Sequence, residues 1–230
     1  MTPTPVCILY SQDPDLIRRG KAFLTALAQV RLLARPPEVW HPAPAFLYAE
    51  LSGPLLDIGP YAIATMAELV GPVRRVTGLA TRARDAGVIA TGPSAGTAFP
   101  IAEPTTVSAV LEHASGVLTT LTTSFDADGP ARHGVELHGS DGALLGGDPN
   151  GFDGPVILRR RGHDDESLPL VSQWRDNARG LGLQDLCRAV DDGTPQRASG
   201  TLGLHVVEVL LAIRDSARDG AAIAIGATPR

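Results

Sequence analysis

The sequence predicts an α+β domain: an open, largely antiparallel or mixed β-sheet with helices on one face. Three observations carry this. Strand-like runs succeed one another from Val73 to Arg159 with no helical segment between them. Amphipathic helical segments bracket that block on both sides, the pattern of helices gathered on an antiparallel sheet. The chain has 230 residues, 43% of them hydrophobic, which is enough for one sizeable core and too much for a disordered chain.

Val6–Tyr10 is a short apolar run of strand type. Asp13-Pro14 supplies an N-cap and a first-turn proline, and Leu16, Ile17, Phe23, Leu24 and Leu27 recur at helical spacing, so the chain opens strand then helix. Gln29–Ala34 reads as a second strand. Residues 35–53 form a proline-rich loop carrying Trp40-His41-Pro42 and Phe46-Leu47-Tyr48. A helix is expected from about Pro54 to Leu69, with Gly71 where a C-terminal glycine belongs. Strands follow at Val73–Arg84, Thr105–His113, Gly116–Phe125, Val135–His138, Ala143–Leu145 and Val156–Arg159, with Ala114-Ser115-Gly116 as a hairpin turn. Thr119–Ser124 is β-branched and polar, which suits an exposed sheet face. Two helices, about Leu181–Val190 and Leu202–Arg218, and a short strand at Ala222–Ile225 close the domain.

Composition narrows the function classes. A formal charge of −5 argues against nucleic acid, which requires a clustered basic surface. Arg159-Arg160-Arg161 is followed at once by Asp164, Asp165 and Glu166, the mark of a solvated hairpin tip. Lys21 is the only lysine, a bias that points to GC-rich bacterial coding. Cys7 and Cys187 have no metal-type or redox-motif spacing, there is no signal-peptide pattern, and no apolar run reaches the roughly 20 residues of a membrane span. The expected setting is a reducing cytoplasm. No G-x-G-x-x-G or P-loop occurs. Gly92-Pro-Ser94-Ala-Gly96 matches the nucleophile-elbow spacing, but Thr97–Pro100 after it cannot start a helix, so Ser94 belongs to a loop. Asp148–Asp153 lacks the bidentate glutamate of a calcium loop, and His133 and His138 are an odd number of residues apart in a strand, on opposite faces. No metal site is expected.

Asp57 and Tyr61 carry the chemistry. They lie four residues apart near the start of the predicted 54–69 helix, hence on one face, where exposed N–H groups and the positive end of the helix dipole favour an anionic group. Two readings stand: an acid/base pair, or a carboxylate satisfying helix-terminus N–H groups beside a half-buried tyrosine.

Trp40-His41-Pro-x-Pro, Gly53-Pro-Leu-Leu-Asp57-Ile-Gly-Pro-Tyr61, Leu69-x-Gly-Pro-Val-x-Arg-Val-Thr-Gly78, Gly92-Pro-x-Ala-Gly96, Gly139–Pro149, Asn177-Ala-Arg-Gly-Leu-Gly-Leu183 and Arg197-Ala-Ser-Gly-x-Leu-x-Leu-His205-Val-x-Glu208 together resemble the substrate domain of the Gfo/Idh/MocA oxidoreductases. The resemblance runs from Val6 onward. It implies an N-terminal Rossmann domain, then an α/β domain with a large open sheet, and hydride exchange between NAD(P) and a sugar, polyol or related alcohol. It puts Asp57 and Tyr61 on the D-x-x-x-H catalytic positions, with Tyr61 where many members have histidine. His205 is a third candidate, open to a reading as a packed core histidine. Trp40, His41, Phe46 and Tyr48 are the expected substrate-binding lining.

The departures are as informative. About fifty residues precede the Asp57 segment, too few for a nucleotide-binding domain. Residues 1–28 look like the last strand–helix crossover of a Rossmann-type domain, and residues 29–230 like the whole substrate domain. The family's Glu-Lys-Pro segment and its lysine have no counterpart, and its glycine run before the aspartate is here Ala49-Glu-Leu-Ser-Gly53. The expectation is therefore a cofactor-independent acid/base catalyst (lyase, isomerase or cyclase) acting on a small oxygenated molecule, with no NAD(P) unless a partner chain supplies a Rossmann domain. The alternatives are half of a split dehydrogenase and a non-catalytic binding or dimerisation module. The resemblance implies a homodimer through the open sheet face.

Overall fold

The structure is a computed structural model and describes residues 25–127, 132–170 and 177–226. The strand expected at Val6–Tyr10, most of the helix after it, Cys7 and Lys21 lie outside the described residues. In chain order the elements are β1 (Thr25–Leu33), two 3-10 turns (Pro37–Val39 and Pro44–Tyr48), α1 (Gly53–Asp57), α2 (Gly59–Val70), β2 (Val73–Thr81), β3 (Ala86–Val88), β4 (Ala98–Pro100), β5 (Thr106–His113) and β6 (Leu118–Ser124). There follow β7 (Arg132–Gly139), β8 (Gly142–Gly146), β9 (Val156–Arg159), β10 (Glu166–Leu168), α3 (Gly180–Asp192), α4 (Gly200–Asp219) and β11 (Ile223–Ala224).

Nine of the strands form one open sheet in the order β10-β9-β8-β7-β1-β6-β5-β2-β11. Every pairing is antiparallel except β1 with β6, so the sheet is mixed as expected. Helices α2 and α4 cover one face. Ala28, Val30 and Leu32 of β1, Val107, Ala109 and Leu111 of β5, and Val135 and Leu137 of β7 point into that layer with Ile63, Met66, Val209, Leu210 and Ile213. This alternation corrects the reading of Leu27 as helical: from Ala28 onward every second residue is buried, a period of two, and β1 begins at Thr25. The boundary between residues 28 and 29 thus falls inside a strand.

Tight backbone approaches hold the helices on the sheet. A Cβ at Gly78 would stand 2.8 Å from the Ile213 carbonyl oxygen, and one at Gly59 would stand 2.8 Å from Leu210 Cδ2. Ser216 Oγ of α4 accepts the Gly78 N–H at 3.0 Å and donates to the Ala221 carbonyl at 2.6 Å. Thr120 and Thr122 face outward, but Thr119 and Thr123 are wholly buried, so the run Thr119–Ser124 is not simply an exposed face. The β3–β4 hairpin and β10 are additions to the strands expected from the sequence, because three-residue strands carry too short a pattern to read. Ser94 sits in the turn between β3 and β4, with no helix after it. The Arg159–Asp165 and Arg160–Glu166 pairs dress the β9–β10 hairpin.

At the end of the sheet where α2 stops, His113 is fully buried. Its Nδ1 meets the Gly71 carbonyl at 2.5 Å and its Nε2 meets Thr119 Oγ1 at 2.8 Å. Burial holds its imidazole below the usual histidine range, and neighbouring His205 acts in the same direction against the Gly71 hydrogen bond. An unfolded histidine takes up its proton near pH 6.5. Below that pH the unfolded chain binds more protons than the folded one, so stability present above about pH 6.5 is lost as pH falls. The urea midpoint at pH 5 is expected to lie below that at pH 7.5, with a smaller difference in His113→Gln; equal midpoints for the wild type refute this.

Candidate functional site

The predicted 54–69 helix is broken where the site lies. Pro60 cannot donate to the carbonyl of Leu56 and its ring crowds that turn, so α1 ends at Asp57 and α2 begins at Gly59. Ile58 keeps right-handed helical angles (φ −104°, ψ −18°), so the chain passes through the break and Asp57 stays one turn before Tyr61. Ile58 also packs against a second apolar cluster of Leu47, Tyr48, Ile89, Phe99, Ile101 and Phe125, which braces the junction. Asp57 caps no helix: it is the last residue of α1, and no side chain caps α2. Among the described residues nothing hydrogen-bonds to its carboxylate. The side chain is open to solvent, yet partial burial pushes its carboxyl above the usual range.

Tyr61 is half-buried, and the Arg179 guanidinium lies over its ring at 5.7 Å and over that of Phe152 at 5.5 Å. Arg179 is pinned there. Its Nε donates to Asn177 Oδ1 at 2.7 Å, and its Nη2 donates to the Asn150 carbonyl at 3.1 Å and to Asn150 Oδ1 at 2.7 Å. The Asp148–Asp153 segment is a turn, closed by Asn150 N–H to Asp148 Oδ1 at 2.9 Å and Gly151 N–H to the Asp148 carbonyl at 2.9 Å. It also walls a cavity of about 70 Å³ against Thr65 and Leu69 of α2 and Val135 of β7. Burial works to raise the Asp148 carboxyl. His133, whose Nδ1 lies 3.2 Å away, the Asn150 N–H and the charge of Arg179 overcome it, and the carboxyl sits below the usual range. His138 lies on the other sheet face beside Glu136. No group of three or more His, Cys, Asp or Glu among the described residues is placed to hold a metal ion.

The loop ahead of α1 supplies the aromatic residues, and the structure divides them. Trp40, His41 and Phe46 form an edge-to-face ladder, with centroids 5.5 and 5.4 Å apart. Trp40 and Phe46 are 58% and 59% exposed. His41 Nδ1 accepts the Ala43 N–H at 3.0 Å, which fixes the ring. The Pro44–Tyr48 turn contacts α1, so the ladder is carried beside the Asp57 segment. Tyr48 does not line a site. It is fully buried against Phe99 and Phe125, and its hydroxyl donates to the buried Glu38 carboxylate, which Arg84 also grips. Burial first, then Glu38, push the Tyr48 phenol far above its ordinary range. Within Ala49–Gly53, Leu51 (φ +57°) and Gly53 (φ +74°) both take left-handed backbone angles. Leu51 is strained there, and its N–H is held at 3.0 Å by Glu103 Oε1, itself paired with Arg214 at 3.1 Å.

His205 is not part of this site. It is fully buried, its Nε2 accepts the Val73 N–H at 3.1 Å, and it lies by the far end of α2. The ten residues from Tyr61 to Gly71 rise roughly 15 Å along the helix. A histidine on an otherwise apolar stretch of α4 fills the core. Arg179 was missed as a site residue because it is remote in sequence from Tyr61, and only the fold sets the two side by side. Its one sequence signal is the polar Asn177-Ala-Arg179 run immediately before a helix.

Comparison with known proteins agrees with this architecture. The sequence profile of the GFO/IDH/MocA C-terminal domain matches residues 26–145. Among solved structures, levoglucosan dehydrogenase in complex with NADH and L-sorbose superposes with a TM-score of 0.74 at 16% identity, over 93% of this chain and 62% of that one. An NAD binding oxidoreductase from Klebsiella pneumoniae gives 0.74 at 17% identity, over 92% and 62%. The WlbA dehydrogenase from Bordetella pertussis, in complex with NADH and UDP-GlcNAcA, gives 0.65 at 16% identity, over 94% and 61%. The chain thus spans about three fifths of the length of these structures. No curated protein matches it by sequence. None of the described helices is long and apolar enough to cross a membrane.

Proposed function

The chain belongs to the GFO/IDH/MocA family through its C-terminal domain, and from that premise we propose that the domain moves a proton on a sugar-like or other oxygenated small molecule, with Asp57 and Tyr61 as the acid/base pair. The observation that carries this is the state of Asp57. It is a carboxylate with no hydrogen-bond partner among the described residues, pushed up by partial burial and set one turn before a tyrosine. Packing alone does not call for such a group, whereas proton transfer does. Trp40 and Phe46 offer the apolar faces on which a sugar ring stacks.

The solved relatives named above include complexes with NADH. The residues described here do not fit a dinucleotide by themselves. The sequence has no G-x-G-x-x-G cradle, and Leu51 and Ser52 carry side chains where the resembled pattern has glycine. The pair takes a proton from a carbon or hydroxyl beside a carbonyl and returns it elsewhere, the chemistry of an isomerase, lyase or cyclase. A second reading is favoured by the dehydrogenase neighbours, of which the chain spans about three fifths. In it the same residues form the substrate half of a dehydrogenase whose nucleotide domain is a separate Rossmann partner.

One experiment separates the two. The protein is incubated in D₂O with a panel of ketoses, aldoses and sugar lactones, and carbon-bound deuterium is read by NMR, beside calorimetric titration with NAD⁺, NADH, NADP⁺ and NADPH. Deuterium wash-in without nucleotide is the expected result. Absence of wash-in across the panel, with exchange or reduction appearing only beside a nucleotide-loaded Rossmann partner, would sink the redox-neutral reading. For quaternary structure we propose a homodimer through the uncovered sheet face, where Leu79, Val110 and Leu118 are exposed. Sedimentation equilibrium is expected to give twice the chain mass, and a monomer at micromolar concentration refutes it.

A further inference from the structure

Arg179 adds a charge to the site that the acid/base pair does not require. Its guanidinium lies 5.7 and 5.5 Å from two aromatic ring centroids, and three of its contacts are charge-assisted hydrogen bonds to neutral acceptors, the side chain of Asn177 and both oxygens of Asn150. No carboxylate among the described residues forms a salt bridge with it. Asp148, whose carboxyl the Arg179 charge helps to lower, is also engaged by His133 and by the Asn150 N–H. Nη1 keeps both of its N–H donors without an acceptor among the described residues. The flanking residues Ala178 and Gly180, with Leu181 and Gln184, line an open groove of about 300 Å³.

Arg31, Arg74, Arg159 and Arg218 each pair with a carboxylate. Arg179 is instead held by hydrogen bonds to neutral groups, so its orientation is set with no carboxylate among the described residues in salt-bridge contact. A guanidinium pinned in this way suits recognition of an anion, and its rigidity reduces the entropy lost on binding. Resting on the reading of Asp57 and Tyr61 as the reacting pair, we infer that the substrate of this site is an acidic sugar. Its carboxylate meets Arg179 Nη1, which leaves a hydroxyl-bearing carbon for Tyr61 and Asp57.

Calorimetry with matched probes tests this: D-glucuronate, D-glucose 6-phosphate and D-glucose, against the wild-type protein, Arg179→Gln and Arg179→Lys. Glucuronate is expected to bind the wild type at least about tenfold more tightly than glucose, the scale of one charge-assisted contact. Arg179→Gln should abolish that ratio, and Arg179→Lys, which keeps the charge but not the planar stack, should retain part of it. All three proteins should melt within a few degrees of one another, because Arg179 is exposed. Equal wild-type affinities for glucuronate and glucose, or a ratio indifferent to Arg179→Gln, overturn the inference and leave the acid/base reading standing. Preference for glucose 6-phosphate over glucuronate overturns the carboxylate assignment. If turnover survives loss of Tyr61 and Asp57, the reading of the site fails and the inference fails with it.

Discussion

Tyr61→Phe is expected to lower turnover by about 10²- to 10⁴-fold while leaving the melting temperature within a degree or two, the scale of one lost acid/base group. The substitution is selective because the ring stays. Arg179 keeps its aromatic partner, and the hydroxyl that is removed has no hydrogen-bond partner among the described residues, so nothing buried is orphaned. Asp57→Asn preserves shape and removes the charge, with a similar loss. The pH profile adds a sign. A carboxyl pushed above the usual range acts as a base only above its raised pKa, so wild-type turnover is present there and lost as pH falls through it. In Asp57→Asn that acid limb should vanish from whatever activity remains. Turnover within threefold of wild type in both variants, or an unchanged acid limb in Asp57→Asn, defeats the assignment.

What the sequence made legible was what repeats or punctuates. Long runs located β2, β5 and β6 to within a few residues, the short run Val156–Arg159 coincides with β9, and Gly71 (φ +101°) terminates α2 as its position announced. The Asp57-x-x-x-Tyr61 spacing was legible because both residues lie on one short stretch of helical backbone. The break between them follows from Pro60, which a helix expected continuously from Pro54 to Leu69 passes over. Tyr48 and His205 were misplaced for one reason: a side chain able to handle protons reads the same in sequence whether it lines a cleft or is buried with a partner. Only burial decides. Tyr48 has Glu38 ten residues back, and His205 has the Val73 N–H, 132 positions away. Arg179 was illegible for the complementary reason, since its role depends on a contact between segments more than a hundred residues apart.

The Glu38 network braces the two turns that carry the aromatic ladder, and its removal should be costly. Glu38 is 6% exposed, and its two oxygens accept from the Tyr48 hydroxyl and from Arg84 Nη1. Arg84 also approaches Asp126 at 3.5 Å, and Asp126 accepts from the Thr105 hydroxyl. Glu38→Ala leaves the buried Tyr48 hydroxyl without its acceptor and Arg84 with one distant carboxylate. Breaking one side of a fully buried ion pair costs about 3–5 kcal/mol. Arg84 keeps 30% of its side chain in water and retains Asp126, so about 2–4 kcal/mol is the expected loss, read as the change in unfolding free energy in urea. For a chain of this size that is a melting-temperature drop of roughly 5–15 °C. Glu38→Gln should cost less, because the amide still hydrogen-bonds to the Tyr48 hydroxyl, and in Tyr48→Phe the further effect of Glu38→Gln should shrink, which a double-mutant cycle measures directly. The consequence reaches function. Glu38 and Tyr48 lie in the two 3-10 turns, with Trp40 and His41 between the turns and Phe46 within the second, so loosening them frees the ladder without altering its rings. Weaker sugar binding in Glu38→Gln, at temperatures where the fold is intact and with Asp57 and Tyr61 unaltered, is therefore expected. Unchanged binding there would mean that the ladder holds its own shape, through the His41 contact to Ala43 and the ring edges alone.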